Sequence, residues 1–579
     1  MMQFRQLADY FERLEKVSSR LEMTRILAEM FRVASDEEVD KICYLSLGRL
    51  VPAYESLEFN LADKMVIRAI ALALNVDKTV VARELKQKGD VGLVVQELKI
   101  PAFTKATAGR QNAKLTVLEV YGKLRKIAED SGEGSQERKV NGLAELVKSL
   151  DAVSGKYVVR MVVGKLRLGF SDKTMIDALS WMKVGDKSLR DALEAAYFVR
   201  ADIGELASAV KKRKSIKSIT PILGVPVMPA LCQRLKTAEE MIAKMGKVAV
   251  EPKFDGTRVQ IHIAKSEKLK AKNNGVFLRT FTRNLEESTA MFPELKLAYK
   301  KVKAKEVILD GEAVGVNPKT GRWLSFQETI VRKRKHDVVE VSRRVPLKFF
   351  MFDVLYKDGE SLLGEPLYKR REILEKVVDE KGVLQITEQV VTDKVKKLRE
   401  YHSEQLRRGL EGVVVKQWQG RYEPGRRGFN WVKFKEEEKS RGGLVDTLDC
   451  VVMGYYRGKG KRAGLGIGAF LVGVRKGEQF LTVSKIGTGL SDEQWREIKV
   501  TSDKRQVTSK PKEYVVDKSL VPDVWVVPAI VVEIAADNIT RSPNHSAQVA
   551  LRFPRLVRFR EDKSPNQVTS LREVKAMMS

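Results

Sequence analysis

The stretch Glu251-Pro252-Lys253-Phe254-Asp255-Gly256-Thr257-Arg258 sets an amine, carboxylates and a guanidinium around one turn. A lysine held near a second cation has a reason to lose its proton, and a neutral amine is a nucleophile. Phe254-Asp255-Gly256 reads as a chain reversal, because glycine tolerates positive φ and aspartate bonds its own backbone. Behind it Val259, Ile261 and Ile263 alternate with Gln260 and His262, the period of a half-buried strand. On its own the octapeptide reads equally well as a hairpin with solvated charges.

More chemistry-bearing residues follow in order: Phe281-Thr282-Arg283-Asn284, Leu309-Asp310-Gly311-Glu312, Phe350-Met351-Phe352-Asp353, Glu411-Gly412-Val413-Val414-Val415-Lys416, then Arg427 and Trp431-Val432-Lys433-Phe434-Lys435. Taken singly, each has a structural reading. Phe352 is a core aromatic, Glu312 belongs to a turn, and Lys433 with Lys435 form one solvated strand face.

The elements that must position these residues fall into three regions. From the start to about residue 215 the apolar spacing is helical, as in Leu7, Tyr10, Phe11 and Leu14, with more helices around 62–75, 114–129, 141–150, 172–181 and 187–198. Within it, Arg160-Met161-Val162-Val163-Gly164-Lys165-Leu166-Arg167-Leu168-Gly169 offers glycines and cations between helices. That suits a phosphate contact or a helix C-cap equally. The basic run Lys211 to Ser218, closed by Thr220-Pro221, reads as a linker. Strand-like runs at 247–251, 258–263, 276–282, 306–310, 348–355 and 412–416 follow, and Lys265 to Asn274 reads as an exposed hairpin loop. From about 446, short strands broken by glycine, including Val524 to Ile534, predict a small β-barrel. The glycine run Gly458 to Gly468 is not a dinucleotide loop, because a strand rather than a helix follows it.

Composition narrows the function classes. The 579 residues carry 106 Lys and Arg against 76 Asp and Glu, a net charge of +30 that points to a polyanion such as nucleic acid. Cys43, Cys232 and Cys450 are widely spaced, which excludes a disulfide framework or a cysteine zinc site and predicts buried thiols. No signal peptide or membrane span is expected, which places the protein in the cytosol.

Taken together, in order and spacing, the segments from Lys253 to Lys435 resemble the nucleotidyltransferase motifs of ATP-dependent DNA ligases of the archaeal replicative type. Arg552-Phe553-Pro554-Arg555-Leu556-Val557-Arg558-Phe559-Arg560-Glu561-Asp562-Lys563 is similar to that family's C-terminal motif. The resemblance implies a multidomain α+β chain with an all-helical DNA-binding domain over 1–215, a mixed α/β adenylation domain over 216–445 and an OB-fold β-barrel over 446–579. It implies nick sealing in replication, repair and recombination, with ATP and Mg²⁺ as cofactors. Lys253 matches the adenylated lysine. Glu251, Arg258, Arg283, Glu312, Phe352, Arg427 and Lys433 match nucleotide-binding positions, with Glu312 at the ribose and Phe352 on the base. Glu312, Glu411, Asp255 and Asp310 match an acidic, metal-side set. Nicked duplex DNA is the implied partner of a monomer, with a sliding clamp as a further family partner for which residues 1–12 are only a weak contact candidate. An RNA ligase or capping enzyme would share the lysine motif but lacks the large helical domain, and a non-catalytic DNA-binding scaffold would not need Lys253, Glu312 and Glu411 intact.

Overall fold

The computed structural model describes all residues except 107–114, 266–275, 325, 330–331, 333–337, 381, 436–446, 459–465, 489, 537 and 579. The chain divides into two compact units, Met1–Lys435 and Glu436–Ser579.

The first unit begins with helices running from Phe4–Glu15 to Ile203–Lys211. Their ends are set by side chains: Ser19, Asp77, Thr116, Asp151 and Asp202 each accept a backbone N–H as N-caps, and Gly89 and Gly185 take the left-handed conformation at C-caps. Phe4, Leu7, Phe11 and Leu14 of the first helix are fully buried, and Phe11 meets Tyr157 edge-on at 5.3 Å. Of the apolar side chains of residues 1–12, the weak candidate for a clamp contact, all but Met1 are buried in the core. Arg160 also departs from expectation. It lies inside the helix Ala152–Val162 and is 2% exposed, so of the three cations in its motif only Lys165 and Arg167 face solvent.

Two sheets follow. β1 (Leu231–Arg234), β2 (Val248–Pro252), β3 (Thr257–Lys265), β4 (Val276–Thr282), β5 (Glu306–Gly315), β6 (Leu347–Lys357), β7 (Glu360–Ser361), β8 (Leu384–Ile386), β9 (Val390–Thr392), β10 (Gly412–Gln417) and β11 (Arg427–Lys435) are the strands in chain order. One sheet runs β1-β11-β10-β2-β9, the other β4-β3-β5-β6-β7 with β8 paired to β6. β3 and β4 pair antiparallel with Lys265 opposite Val276, and the Lys265–Asn274 loop falls almost wholly outside the described residues. Val227, Ala230, Ile308, Leu355, Tyr422 and Trp431 form a buried cluster with contributions from both sheets. The chain passes from β2 in one sheet to β3 in the other through residues 253–256, so the turn that carries Lys253 joins the two.

The helices are seated directly on this region. Tyr54 packs edge-on against Phe281 at 6.1 Å, Met228 N–H donates to the Phe198 carbonyl at 2.8 Å, and Tyr44 and Tyr54 hydroxyls donate to Asp202 at 2.6 and 3.1 Å.

The second unit is β-rich, built on strands Leu448–Tyr456, Ala469–Lys476 and Gln479–Ile486 with antiparallel neighbours. The expected run from Val524 to Ile534 is two strands, Val524–Val526 and Val531–Ala535. Pro528 stands between them and has no N–H for a ladder.

Candidate active site

A cavity of about 380 Å³ opens where the turn joins the sheets, lined by Glu251, Lys253, Arg258, Arg283, Glu312, Phe352, Lys416 and Trp431 among others. That volume suits a nucleotide-sized ligand. Four strands meet there by register. Gly412 O accepts from Lys253 N–H at 3.0 Å, Val414 lies opposite Glu251, and Arg258 lies opposite Glu312.

The turn is built differently from the sequence expectation. Gly256 is not among the residues of positive φ; a Cβ there would stand 2.5 Å from the Ala313 carbonyl oxygen and 2.9 Å from Glu312 Cγ. Close approach to β5, not left-handed backbone, explains the glycine. Phe254 anchors the same turn by stacking on Phe350, with ring centroids 4.4 Å apart.

One wall of the cavity is aromatic and holds a buried ion pair. Phe352 and Trp431 meet edge-on at 5.7 Å, and Lys416 Nζ lies 4.4 and 4.3 Å from their ring centroids. The same ammonium is 2.7 Å from Glu251 Oε2. Burial pushes the Glu251 carboxyl above its ordinary range, while Lys416 pulls it back. Cys232 also lines this wall and is half-buried rather than fully buried, its thiol pushed up by burial.

The other end of the cavity is rich in charge. Lys253 Nζ stands 2.5 Å from Glu411 Oε2, with the lysine side chain 24% exposed. Arg258 donates from Nε and Nη2 to the two Asp310 oxygens at 3.1 and 2.6 Å, and from Nη1 to the Ala230 carbonyl at 2.6 Å. Tyr422 closes this network, its hydroxyl donating to Asp310 at 2.7 Å and accepting from Ala230 N–H at 3.1 Å. Burial pushes the Glu312 carboxyl up to about 7, against the opposing pull of Arg258 and Lys253. Arg283 is exposed at the rim.

The structure thus brings Lys253, Glu251, Arg258, Arg283, Glu312 and Phe352 to one cavity, with Glu411 reaching it through Lys253. Asp255, Asp310, Arg427 and Lys433 are not part of its lining. Asp310 is 1% exposed and turned to Arg258 and Tyr422. Arg427 is exposed at the start of β11. No group of three or more His, Cys, Asp or Glu with metal-binding geometry occurs among the described residues. Sequence reasoning gave no role to Lys416, Trp431, Tyr422 or Cys232. Lys416 and Trp431 stood inside quoted motifs, and the signal that could have singled out Lys416 is a charged residue ending an otherwise apolar strand.

The smaller unit has its own charged cluster. Asp449 accepts from Arg560 Nη1 at 3.0 Å and from Lys563 Nζ at 2.5 Å, Arg560 also pairs with Asp562 at 2.7 Å, and Arg558 pairs with Glu533 at 2.6 Å.

Three family models match the chain: the DNA ligase N terminus over residues 3–180, the ATP dependent DNA ligase domain over 229–435 and the ATP dependent DNA ligase C terminal region over 463–563. A probable DNA ligase of Dictyoglomus thermophilum is 43% identical over 100% of this chain and 97% of its own length. The DNA ligases of Pyrobaculum calidifontis and Sulfolobus acidocaldarius are 39% and 36% identical, each over 100% of this chain and 98% of their own. A solved structure named Pmar-Lig_PreS3 is 18% identical and superposes with a TM-score of 0.52 over 96% of this chain and 99% of that one, a likeness of fold.

Proposed function

The chain belongs to the ATP-dependent DNA ligase family, an enzyme class that seals nicked DNA through a lysyl-AMP intermediate, and from that premise we propose that Lys253 is the residue adenylated here. The supporting observation is the Lys253 amine at the charged end of a nucleotide-sized cavity, facing Glu411. The neutral Lys253 amine is the attacking form. Its Nζ then bonds to the α-phosphorus of ATP as the α–β P–O bond breaks and pyrophosphate leaves. An oxygen of the nick 5′-phosphate next displaces Lys253 from that phosphorus, freeing the amine, and the 3′-hydroxyl finally attacks the activated 5′-phosphorus with loss of AMP.

Each remaining residue has a part that its position supports. Phe352 and Trp431 hold the base and Glu251 faces its edge, because the aromatic pair and the carboxylate share one wall. Glu312 accepts from ribose hydroxyls. Arg258 and Arg283 offer cations to phosphate oxygens, with Asp310 orienting Arg258. Glu312 and Glu411 fit a Mg²⁺ site, since this ion takes one or two carboxylates and completes its shell with phosphate oxygens and water. When bound there it supplies neutralisation of phosphate charge. Asp310 fits that role poorly because both its oxygens are engaged, and Asp255 stands outside the cavity. Arg427 and Lys433, on β11, are proposed to contact the nucleotide only on closure around it.

For DNA, the exposed Lys165 and Arg167 beside Gly164 and Gly169 are proposed to meet backbone phosphates without reading sequence. Domain borders near residues 215 and 445, an OB-fold for the last domain, action as a monomer in the cytosol, and a sliding clamp as further partner complete the proposal. No helix of the described residues is long and apolar enough to cross a membrane. Incubation with α-labelled ATP tests the central claim. The full chain is expected to acquire covalent label and seal nicked duplex DNA, whereas Lys253→Ala loses both and still binds nicked DNA. Equal labelling of Lys253→Ala would refute the assignment.

A further inference from the structure

The proposed nucleotide pocket contains a buried pair to which the transfer chemistry gives no task. Glu251 is 2% exposed and Lys416 1%, and their contact is 2.7 Å between Oε2 and Nζ. Lys416 also donates to the Phe352 carbonyl at 3.3 Å, so it is fixed between the base-side ring and the carboxylate. Glu251 Oε1 is buried and has no hydrogen-bond partner among the described residues, while both side chains line the cavity. An orphaned buried acceptor is costly unless a ligand supplies its donor. Arg371 and Asp353 act on Glu251 from farther away and with opposite signs, which leaves Lys416 as the cation in contact.

The charge on Lys416 decides what Oε1 can do. An ionised carboxylate only accepts hydrogen bonds, whereas a protonated one also donates. A carboxylate this deeply buried takes up a proton when its counter-charge is removed. A 6-aminopurine presents a donor on its edge and a 6-oxopurine presents an acceptor in the same place.

We infer that Lys416 is the specificity-setting residue of this pocket: by holding Glu251 in its acceptor-only form, it makes the site choose a 6-aminopurine nucleotide over a 6-oxopurine one. The inference rests on the reading of the cavity as the nucleotide site. Lys416 acts through Glu251 and is a positioning residue, not a catalytic one.

The test compares α-labelled ATP with α-labelled ITP, which differ in this edge and lack the 2-amino group of guanine. Labelling of the full-length chain is measured as kcat/KM for each. The wild type is expected to favour ATP by about tenfold to hundredfold, the range that follows from leaving a buried acceptor facing another acceptor. Lys416→Met should shrink the ratio to about threefold or less, chiefly through a lower KM for ITP, while Lys416→Arg keeps it. Glu251→Gln should shrink it as well, because an amide can present either a donor or an acceptor. If Lys416→Met is too unstable to label, Glu251→Gln against Lys416→Arg decides. A wild-type ratio retained in Lys416→Met or in Glu251→Gln overturns the inference and leaves the nucleotide site standing. A wild type that labels with neither nucleotide overturns the site and the inference together.

Discussion

Replacing Arg258 by methionine separates what the guanidinium does for the fold from what it does for the chemistry. Asp310 is 1% exposed, and Arg258 covers both its oxygens. Removing the arginine leaves that carboxylate buried with the Tyr422 hydroxyl as its remaining close donor, 2.7 Å away. Breaking one side of a buried ion pair costs about 3–5 kcal/mol, and the lost bond to the Ala230 carbonyl adds to this. Asp310→Asn introduced together with Arg258→Met removes the stranded charge. The double variant should recover about 2 kcal/mol or more of the loss, a coupling of the size found for residues in contact. Urea titration followed by tryptophan fluorescence measures this, Trp431 standing with its ring centroid 5.4 Å from the Arg258 guanidinium carbon. Self-adenylation is expected to stay lost in both variants, because Arg258 also lines the cavity. A double variant as unstable as the single one, or a single variant within about 1 kcal/mol of wild type, would refute the reasoning.

Other consequences follow from individual positions. Gly256→Ala should cut labelling by ATP steeply even where the fold survives, since its Cβ would press on the Ala313 carbonyl 2.5 Å away and displace Glu312; unchanged labelling kinetics would contradict the close-approach explanation. His262 is fully buried, with Nδ1 accepting from Gly224 N–H at 3.1 Å, and burial lowers it from the ordinary 6.5 to about 3. The unfolded chain therefore binds a proton that the folded chain refuses, so this contribution is complete above pH 6.5 and is lost as pH falls towards 3. Between pH 7 and pH 5 it amounts to about 2 kcal/mol, and His262→Gln should flatten that part of the stability profile in urea titrations.

Much of this was legible in the sequence because it depends on local pattern. The strand runs at 258–263 and 276–282 are found as β3 and β4, since alternation on a half-buried sheet leaves a period-two trace. Helical spacing marked 172–181 within the helix Asp172–Val184 in the same way. What could not be read is the choice among partners. Arg258 and Asp310 stand far apart in sequence and Asp310 was assigned to a metal set, yet the β3–β5 register places Gln260 opposite Asp310 and brings Arg258 onto it diagonally. Lys416 reads as the charged end of a strand, and only the packing of Phe352, Trp431 and Glu251 around it turns it into a buried group. Gly256 was correctly singled out for the wrong reason, because a close approach across strands leaves no trace in the neighbouring residues.

The pairing of β2 with β10 constrains how such a chain can change over evolutionary time. Two of the charge contacts at the cavity, Lys253 with Glu411 and Glu251 with Lys416, span this one pair of segments. A deletion or insertion of one residue between the contact positions of either segment would reverse the faces of everything beyond it, so the two contacts could not both be kept. Loops around the cavity can lengthen or shorten without touching either contact, but the two segments can drift only by substitution. On the proposed reading of the cavity, the orientation of a nucleotide with its base at one end and phosphates at the other would be encoded as a residue count shared by two strands.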